Sequence, residues 1–401
     1  MTRMHYDAIV VGAGPAGSTA AREIASRGHS VLLLDRAKFP RDKPCGGGVT
    51  VRCANLLPFD LSPVVEHVVT GAVMGGPRGR QVTRDAGRTL SYMTQRRRLD
   101  AFLVEHAQRA GAEFRDGHPV RSVIEDNTGT FTVRVGRTDA GADVHTSRVL
   151  IGADGANGVV GTYLGFEHVP EGAVALEANL AFPDGLPSWV QGRVALCLGL
   201  MPGGYGWVFP KGDHVNVGVG GWKGVAGEHL RATLDAYTRG FGWDPADLTN
   251  IRGHHLPMQR PGQTITTRGV ALIGDAAGFV DPLSGEGIYG AIASGTAVGP
   301  AASDYLLGRV PDLRGYDLAV QRELLPDIVA SRGLMEVFHA WPTPAVLLAT
   351  RSGRLWRQFC DLLRGEETYD SIVRSTGPLA PTLGPLAALA RRLTIARYGA
   401  R

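Results

Sequence analysis

The run Tyr6-Asp7-Ala8-Ile9-Val10-Val11-Gly12-Ala13-Gly14-Pro15-Ala16-Gly17 constrains this chain more than any other stretch. It reads as a buried strand, a glycine turn and a helix start. A second apolar strand, Val31-Leu32-Leu33-Leu34, closes on Asp35 and Arg36. Together these make a βαβ dinucleotide-binding fingerprint. Gly12 permits the tight turn, Gly14 lets backbone approach a pyrophosphate, and Gly17 lets helix and strand pack closely. The helix start offers free N–H groups and a positive dipole end to phosphates. Asp35 stands about 20 residues beyond the turn, where a carboxylate can hold ribose hydroxyls. Ala16 and Arg36 are counted with these contacts. The motif alone leaves open whether the nucleotide is NAD or FAD.

At 401 residues the chain has room for two packed domains, or one domain with a large insertion. A net charge of +4 gives no case for nucleic acid. Cys45, Cys53, Cys197 and Cys360 show no metal-ligand spacing, and His254-His255 fit none either, so no metal is expected. The first apolar run is a strand rather than a signal peptide, and no stretch reaches the roughly 20 apolar residues of a membrane span. A cytoplasmic protein is expected.

The periodicity predicts helices over 95–111, 228–240 and 286–307, and strands over 131–135, 144–151, 194–198, 215–219 and 270–273. The tail after residue 316 is helical in pattern and broken by Pro326, Pro342, Pro344, Pro378, Pro381 and Pro385. The expected class is α/β, with a discontinuous nucleotide-binding domain and an inserted mixed β-sheet domain. The nucleotide-binding segments are 1–59, 95–169 and 256–315. The substrate-domain segments are 60–94 and 170–255, and a helical region covers 316–401.

Three glycine/aspartate stations follow strands: Gly12–Gly17, then Gly152-Ala153-Asp154-Gly155, then Gly274-Asp275-Ala276-Ala277-Gly278 with Pro282, Gly285, Glu286, Gly287 and Ile288 after it. Their order resembles the glutathione-reductase-type FAD fold, in the branch of para-hydroxybenzoate hydroxylase. That resemblance implies FAD as the nucleotide. It implies Asp154, Gly274, Asp275, Pro282, Gly285, Gly287 and Ile288 as cofactor contacts, with Asp275 on the ribityl chain. Arg96-Arg97-Arg98-Leu99-Asp100 resembles the same branch's R-x-x-[FL]-D element, which puts Arg96 on the pyrophosphate. The second station departs from the hydroxylase pattern, because Gly158 and Gly161 stand where a serine and an arginine are usual.

Two further stretches are Phe39-Pro40-Arg41-Asp42-Lys43-Pro44-Cys45-Gly46-Gly47-Gly48 and Tyr205-Gly206-Trp207-Val208-Phe209-Pro210, the latter followed by Gly218 and Gly220. They resemble the C-G-G-G loop and the Y-x-W-x-F-P-x₇-G-x-G element of the geranylgeranyl reductase family. The resemblance implies reduction of isolated double bonds in a polyprenyl chain, by a hydride from reduced flavin and a proton from another donor. Tyr205, Trp207 and Phe209 alternate, so they share one strand face. With Pro210 they are expected to line the substrate pocket, and Tyr205 and Trp207 to stand at the reacting centre. The same face could instead be plain sheet core. Cys45 is a candidate proton donor or gate, with a buried structural thiol as the alternative, and Gly46, Gly47 and Gly48 bring backbone to the flavin. A monooxygenase or halogenase of the same fold, acting on an aromatic or polyketide-like substrate, is the competing reading. NADPH or reduced ferredoxin would supply electrons. The run Leu383–Arg397 would either lie on a membrane surface or dock on the protein's own core.

Overall fold

The computed structural model describes residues 3–77, 81–136, 143–163, 165, 172–258 and 262–398. The expected junction at residues 169 and 170 lies outside them.

The fingerprint forms as read. Strand Arg3–Val11, helix Pro15–Ala25 and strand Val31–Leu34 follow one another. They belong to an eight-stranded sheet whose main order is Thr266–Thr267, Val270–Leu272, Asp143–Gly152, Arg3–Val11, Val31–Leu34, Glu113–Arg115. Its central strands run parallel, with Val10 beside both Ile151 and Leu33. Parallel strands are covered on both faces, which is why these read as unbroken apolar runs. Ile9, Leu33, Leu150 and Ile151 are wholly buried. Val120–Glu125 and Phe131–Val135 extend this sheet antiparallel.

A seven-stranded sheet carries the second half of the architecture, in the order Thr249–Pro257, Gly172–Ala181, His214–Trp222, Tyr205–Pro210, Arg193–Leu198, Gly71–Gly75, Val82–Asp85. A small third sheet joins Gly48–Thr50, Ser91–Met93 and His67–Val69. It ties the glycine loop after Cys45 to the start of helix Arg96–Arg109.

Helix Pro15–Ala25 packs against the long helix Ile288–Leu306 and against Arg96–Arg109. The first and third stations therefore touch: a Cβ on Gly274 would stand 2.8 Å from the Ala16 Cβ. The tail forms helices Arg314–Glu323, Leu325–Ala340, Pro342–Arg351, Gly353–Arg364, Tyr369–Arg374 and Leu383–Tyr398. Among the described residues no helix is long and apolar enough to cross a membrane.

Candidate active site

The nucleotide turn is fixed by contacts that leave no room for side chains. A Cβ on Gly17 would lie 1.7 Å from the Gly12 carbonyl oxygen, and one on Gly12 would lie 2.3 Å from that of Ala153. Gly12 also has φ of +100°. The first and second stations are thus pressed together at the strand ends, the usual ligand position in an open parallel sheet.

Two guanidinium groups overhang this turn. A Cβ on Gly14 would meet Arg41 Nη2 at 3.5 Å and Arg96 Nη2 at 3.7 Å. Both arginines are held from behind by Asp100, which is fully buried: Arg96 donates from Nε and Nη2 at 2.7 and 2.8 Å, and Arg41 Nη1 lies 2.9 Å away. The sequence placed a basic cluster at a helix N-terminus, where cations are disfavoured. The fold answers with an i,i+4 carboxylate and aims the cations at the turn. That is the donor set a pyrophosphate needs. Arg41 was missed by the sequence reading, because a lone arginine in a loop carries no periodic signal.

Asp35 accepts from Ala13 N and Ala37 N, each at 2.8 Å, so its carboxylate is aimed at the turn. Arg36 points to solvent. Asp154 is held close by Gly158, where a Cβ would overlap its carboxyl at 2.0 Å. The serine of the hydroxylase pattern has no space there. Burial pushes Asp154 up to about 6, against the N–H groups of Val160 and Val159 that favour its charge. One of its oxygens, Oδ1, is buried without a protein partner. A buried orphan acceptor beside a nucleotide turn is a place for a ligand donor. These features fit a dinucleotide such as FAD at this end.

At the third station, Asp275 accepts from Lys43 Nζ at 3.0 Å, and His254 Nε2 lies 3.5 Å away. Burial works against its charge, but the Lys43 ammonium and the His254 imidazole hold it well below the usual carboxylate range. Gly287 lies beside it: a Cβ there would stand 3.2 Å from Asp275 Oδ1. Gly285 takes a φ of +73°, Pro282 and Ile288 are buried, and helix Ile288–Leu306 starts directly after. The N–H groups of that first turn are free for an anionic ring edge. Glu286 accepts from Thr50 Oγ1 at 3.1 Å, and burial together with the Asp281 charge pushes it up to about 7.

The glycine loop and the aromatic strand, over 150 residues apart in sequence, meet here. A Cβ on Gly46 would strike the Phe209 ring at 2.7 Å, with Trp207 Nε1 at 3.5 Å. One on Gly47 would lie 2.0 Å from the Thr94 carbonyl oxygen, and one on Gly48 3.2 Å from Met93 Cε. Tyr205, Trp207 and Phe209 share the face toward this loop, with successive ring centroids 5.9 and 6.1 Å apart. Val208, on the opposite face, packs with Val217 and Leu234 in the sheet's own core. Tyr205 donates from its hydroxyl to the Ser284 carbonyl at 2.5 Å, joining the strand to the third station. Trp207 is buried and spends its Nε1–H on Asn216 Oδ1 at 2.8 Å. Gly218 is required by this tryptophan, since a Cβ would enter the indole at 2.0 Å. Pro210 is buried at the end of the strand.

Two charged side chains absent from the sequence reading grip the loop. Glu177 Oε1 accepts from Cys45 N at 2.7 Å. Lys211 Nζ donates to the Gly46 carbonyl at 2.6 Å and to the Thr94 carbonyl at 2.9 Å. Burial pushes Glu177 up to about 6 and Lys211 down to about 8. Cys45 itself is half-buried, and its Sγ accepts from Gly47 N at 3.4 Å. The C-terminal helices close the site from behind: Ser331 Oγ accepts from Leu283 N at 3.1 Å, and Tyr369 donates to Asp281 at 3.3 Å.

A family model described as an FAD binding domain matches residues 5–304. A geranylgeranyl diphosphate reductase of Rhodobacter capsulatus is 35% identical over 316 residues, covering 78% of this chain and 78% of that one. A menaquinone reductase of Mycolicibacterium smegmatis is 30% identical over 408 residues, covering 96% of this chain and 90% of that one. Among solved structures, a geranylgeranyl bacteriochlorophyll reductase-like protein of Thermoplasma acidophilum has a TM-score of 0.78 at 23% identity, covering 93% of this chain and 99% of that chain. At that identity the last likeness speaks to the fold.

Proposed function

This chain belongs to the FAD-binding flavoproteins and, among them, to the geranylgeranyl reductase family, and we propose that it saturates isolated double bonds of a polyprenyl chain. FAD, bound and reduced, supplies the hydride for that chemistry. The residues do the rest. Gly12, Gly14, Gly17, Arg41 and Arg96 hold the pyrophosphate, Asp35 the adenosine ribose, and Asp275 the ribityl hydroxyls. Gly285, Gly287 and Ile288 present the helix start to the electron-rich edge of the ring. Tyr205, Trp207 and Phe209 wall the space beside Cys45–Gly48 and keep water from the alkene. Cys45 is positioned to hold the proton.

The observation that carries the reading is the contact of Gly46 with the Phe209 and Trp207 rings. It sets a close backbone approach against an apolar face, and an unactivated alkene offers nothing else to recognise. The test is anaerobic. The yellow protein is reduced with dithionite and mixed with geranylgeranyl diphosphate. Flavin reoxidation with product gaining two hydrogens per bond supports the reading. Product gaining oxygen, and only in air, supports a monooxygenase instead.

A prenylated quinone is the second substrate to try, because the menaquinone reductase matches nearly the whole chain, tail included. NADPH or reduced ferredoxin is the electron source we expect. The C-terminal helices are suited to a lipid surface in a cytoplasmic protein. Residues 341–401 carry nine arginines against four acidic residues, and the chain as a whole carries only +4. Leu347, Leu348, Leu379, Leu386, Leu389 and Leu393 are exposed in the same region. Removing residues 383–397 should weaken binding to anionic liposomes, and unchanged binding, or none by the intact protein, would overturn that part of the reading.

A further inference from the structure

The residue pair Cys45-Gly46 is gripped at both ends, by Glu177 on one strand of the seven-stranded sheet and by Lys211 just past another. A carboxylate takes its N–H side, through Cys45 N to Glu177 at 2.7 Å. An ammonium takes its carbonyl side, through Lys211 to Gly46 O at 2.6 Å. We propose that Glu177 and Lys211 are positioning residues that clamp the Cys45–Gly48 loop against the aromatic strand, and that the loop is held only while both are charged. This rests on the reading of that loop as the wall beside the reacting alkene.

Several observations support a clamp over incidental polar contacts. Lys211 is 2% exposed, and an ammonium is not buried without work for it to do. Its second bond goes to Thr94 O, and Thr94 N in turn donates to Gly47 O at 2.8 Å. One lysine therefore couples three segments: the loop, the aromatic strand it directly follows, and the link into helix Arg96–Arg109. Glu177 sits on strand Gly172–Ala181, two strands from Tyr205–Pro210. Asn216, on the strand between, accepts from the Trp207 indole and donates to Asn179 Oδ1 at 3.1 Å, two residues from Glu177 on its own strand. The clamp and the aromatic face are thus carried by three neighbouring strands of one sheet.

The charged neighbours set the pH range. Cys45, Glu66 and Glu177 face Lys211, and Lys211 in turn acts on His67. Lys211 and Asp42 face Glu177, with Arg252 beside it in strand register and paired to Asp42 at 2.9 Å. Burial dominates at both groups, leaving Glu177 at about 6 and Lys211 at about 8. Below about 6 the carboxylate is neutralised, and above about 8 the ammonium is. Both are charged between those limits.

The test uses the FAD-loaded protein without substrate and follows alkylation of Cys45 by iodoacetamide, peptide by peptide, in a mass spectrometer. At pH 7, Glu177→Ala and Lys211→Met should each speed Cys45 alkylation about tenfold, the scale of one lost charge-assisted bond, with flavin retained. Lys211→Arg should stay within about twofold of the parent. Turnover gives the second readout. The parent should lose rate below about 6 and above about 8. Glu177→Gln, uncharged at every pH, should show no acid limb and run throughout at the lowered rate that the parent reaches below about 6, and Lys211→Arg should move the alkaline limb upward. Unchanged Cys45 alkylation in Glu177→Ala and Lys211→Met, or superimposable pH profiles, overturns the clamp. The alkylation result stands even if the protein reduces no prenyl chain, so the two readings fail separately.

Discussion

The two ends of the proposed flavin site are built in different ways. At the adenosine end, backbone meets backbone: Gly17 against Gly12, and Gly12 against Ala153. At the ring end, side chains from distant segments meet a loop: Phe209 against Gly46, Lys211 and Glu177 on either side of Cys45–Gly46, and Tyr205 on Ser284. The first end depends on local chain geometry and tolerates almost nothing. The second is assembled by tertiary structure, so it can change substrate or timing while the nucleotide stays bound. Binding and chemistry should therefore respond separately to substitution.

The largest effect belongs to the adenosine end. Gly17→Val places carbon 1.7 Å or less from the Gly12 carbonyl, and overpacking of that kind costs upward of about 3 kcal/mol. The protein should be purified without flavin, if at all, as read by absorbance per chain and by thermal unfolding. Arg96→Leu comes next. It leaves the fully buried Asp100 with Arg41 as its remaining cation, and breaking a buried pair costs about 3 kcal/mol. Titration with FAD and a melting curve should both register the loss. An undisturbed melting temperature would mean that the adenosine end is less tightly determined than its contacts imply.

Glu286 gives an intermediate effect with a definite sign. Burial and the Asp281 charge raise its folded value to about 7, above the ordinary 4.5. The folded state therefore binds this proton more tightly than the unfolded chain does. Its stabilising contribution is present below the unfolded value and is lost as pH rises through about 7. Glu286→Gln should flatten that fall, by about 1–2 kcal/mol between pH 5 and pH 8, measured by chemical denaturation. The smallest effect is at Tyr205→Phe, which loses a single hydrogen bond to Ser284 O, worth about 1 kcal/mol. Flavin affinity should hold and turnover should fall. The reverse pattern would assign Tyr205 to the adenosine end's logic.

The same contrast explains what was legible in the sequence. Val31–Leu34 and the Gly12–Gly17 turn declare themselves because a strand buried on both faces and a side-chain-free turn each leave a local pattern. The Tyr205–Pro210 strand was visible by alternation, and its meeting with Cys45–Gly48 was expected from family likeness rather than from any pattern in the residues. Glu177 and Lys211 gave no signal. A single charge in a strand, as Glu177 is, normally marks a solvent face, and Lys211 stands just past the end of its strand, where no period reaches. Arg41 was silent because it lies in a loop, which has no period to show. The strands Gly48–Thr50, Ser91–Met93 and His67–Val69 are three residues each, too short for a period to show. In the tail, Pro326, Pro342 and Pro385 stand in the first turns of helices, where a missing N–H costs nothing. Read from sequence as breaks, they are starts.

The central claim is that the loop and the aromatic strand form a reaction wall separable from nucleotide binding. Gly46→Val tests it most directly, because the added carbons must displace the Phe209 ring that a Cβ would meet at 2.7 Å. The measurement pairs flavin content with the rate of anaerobic flavin reoxidation by geranylgeranyl diphosphate. The account predicts full flavin content with reoxidation slowed at least about tenfold, the equivalent of 1.4 kcal/mol on the barrier. Reoxidation at the parent rate, or flavin and reoxidation lost together, would contradict it.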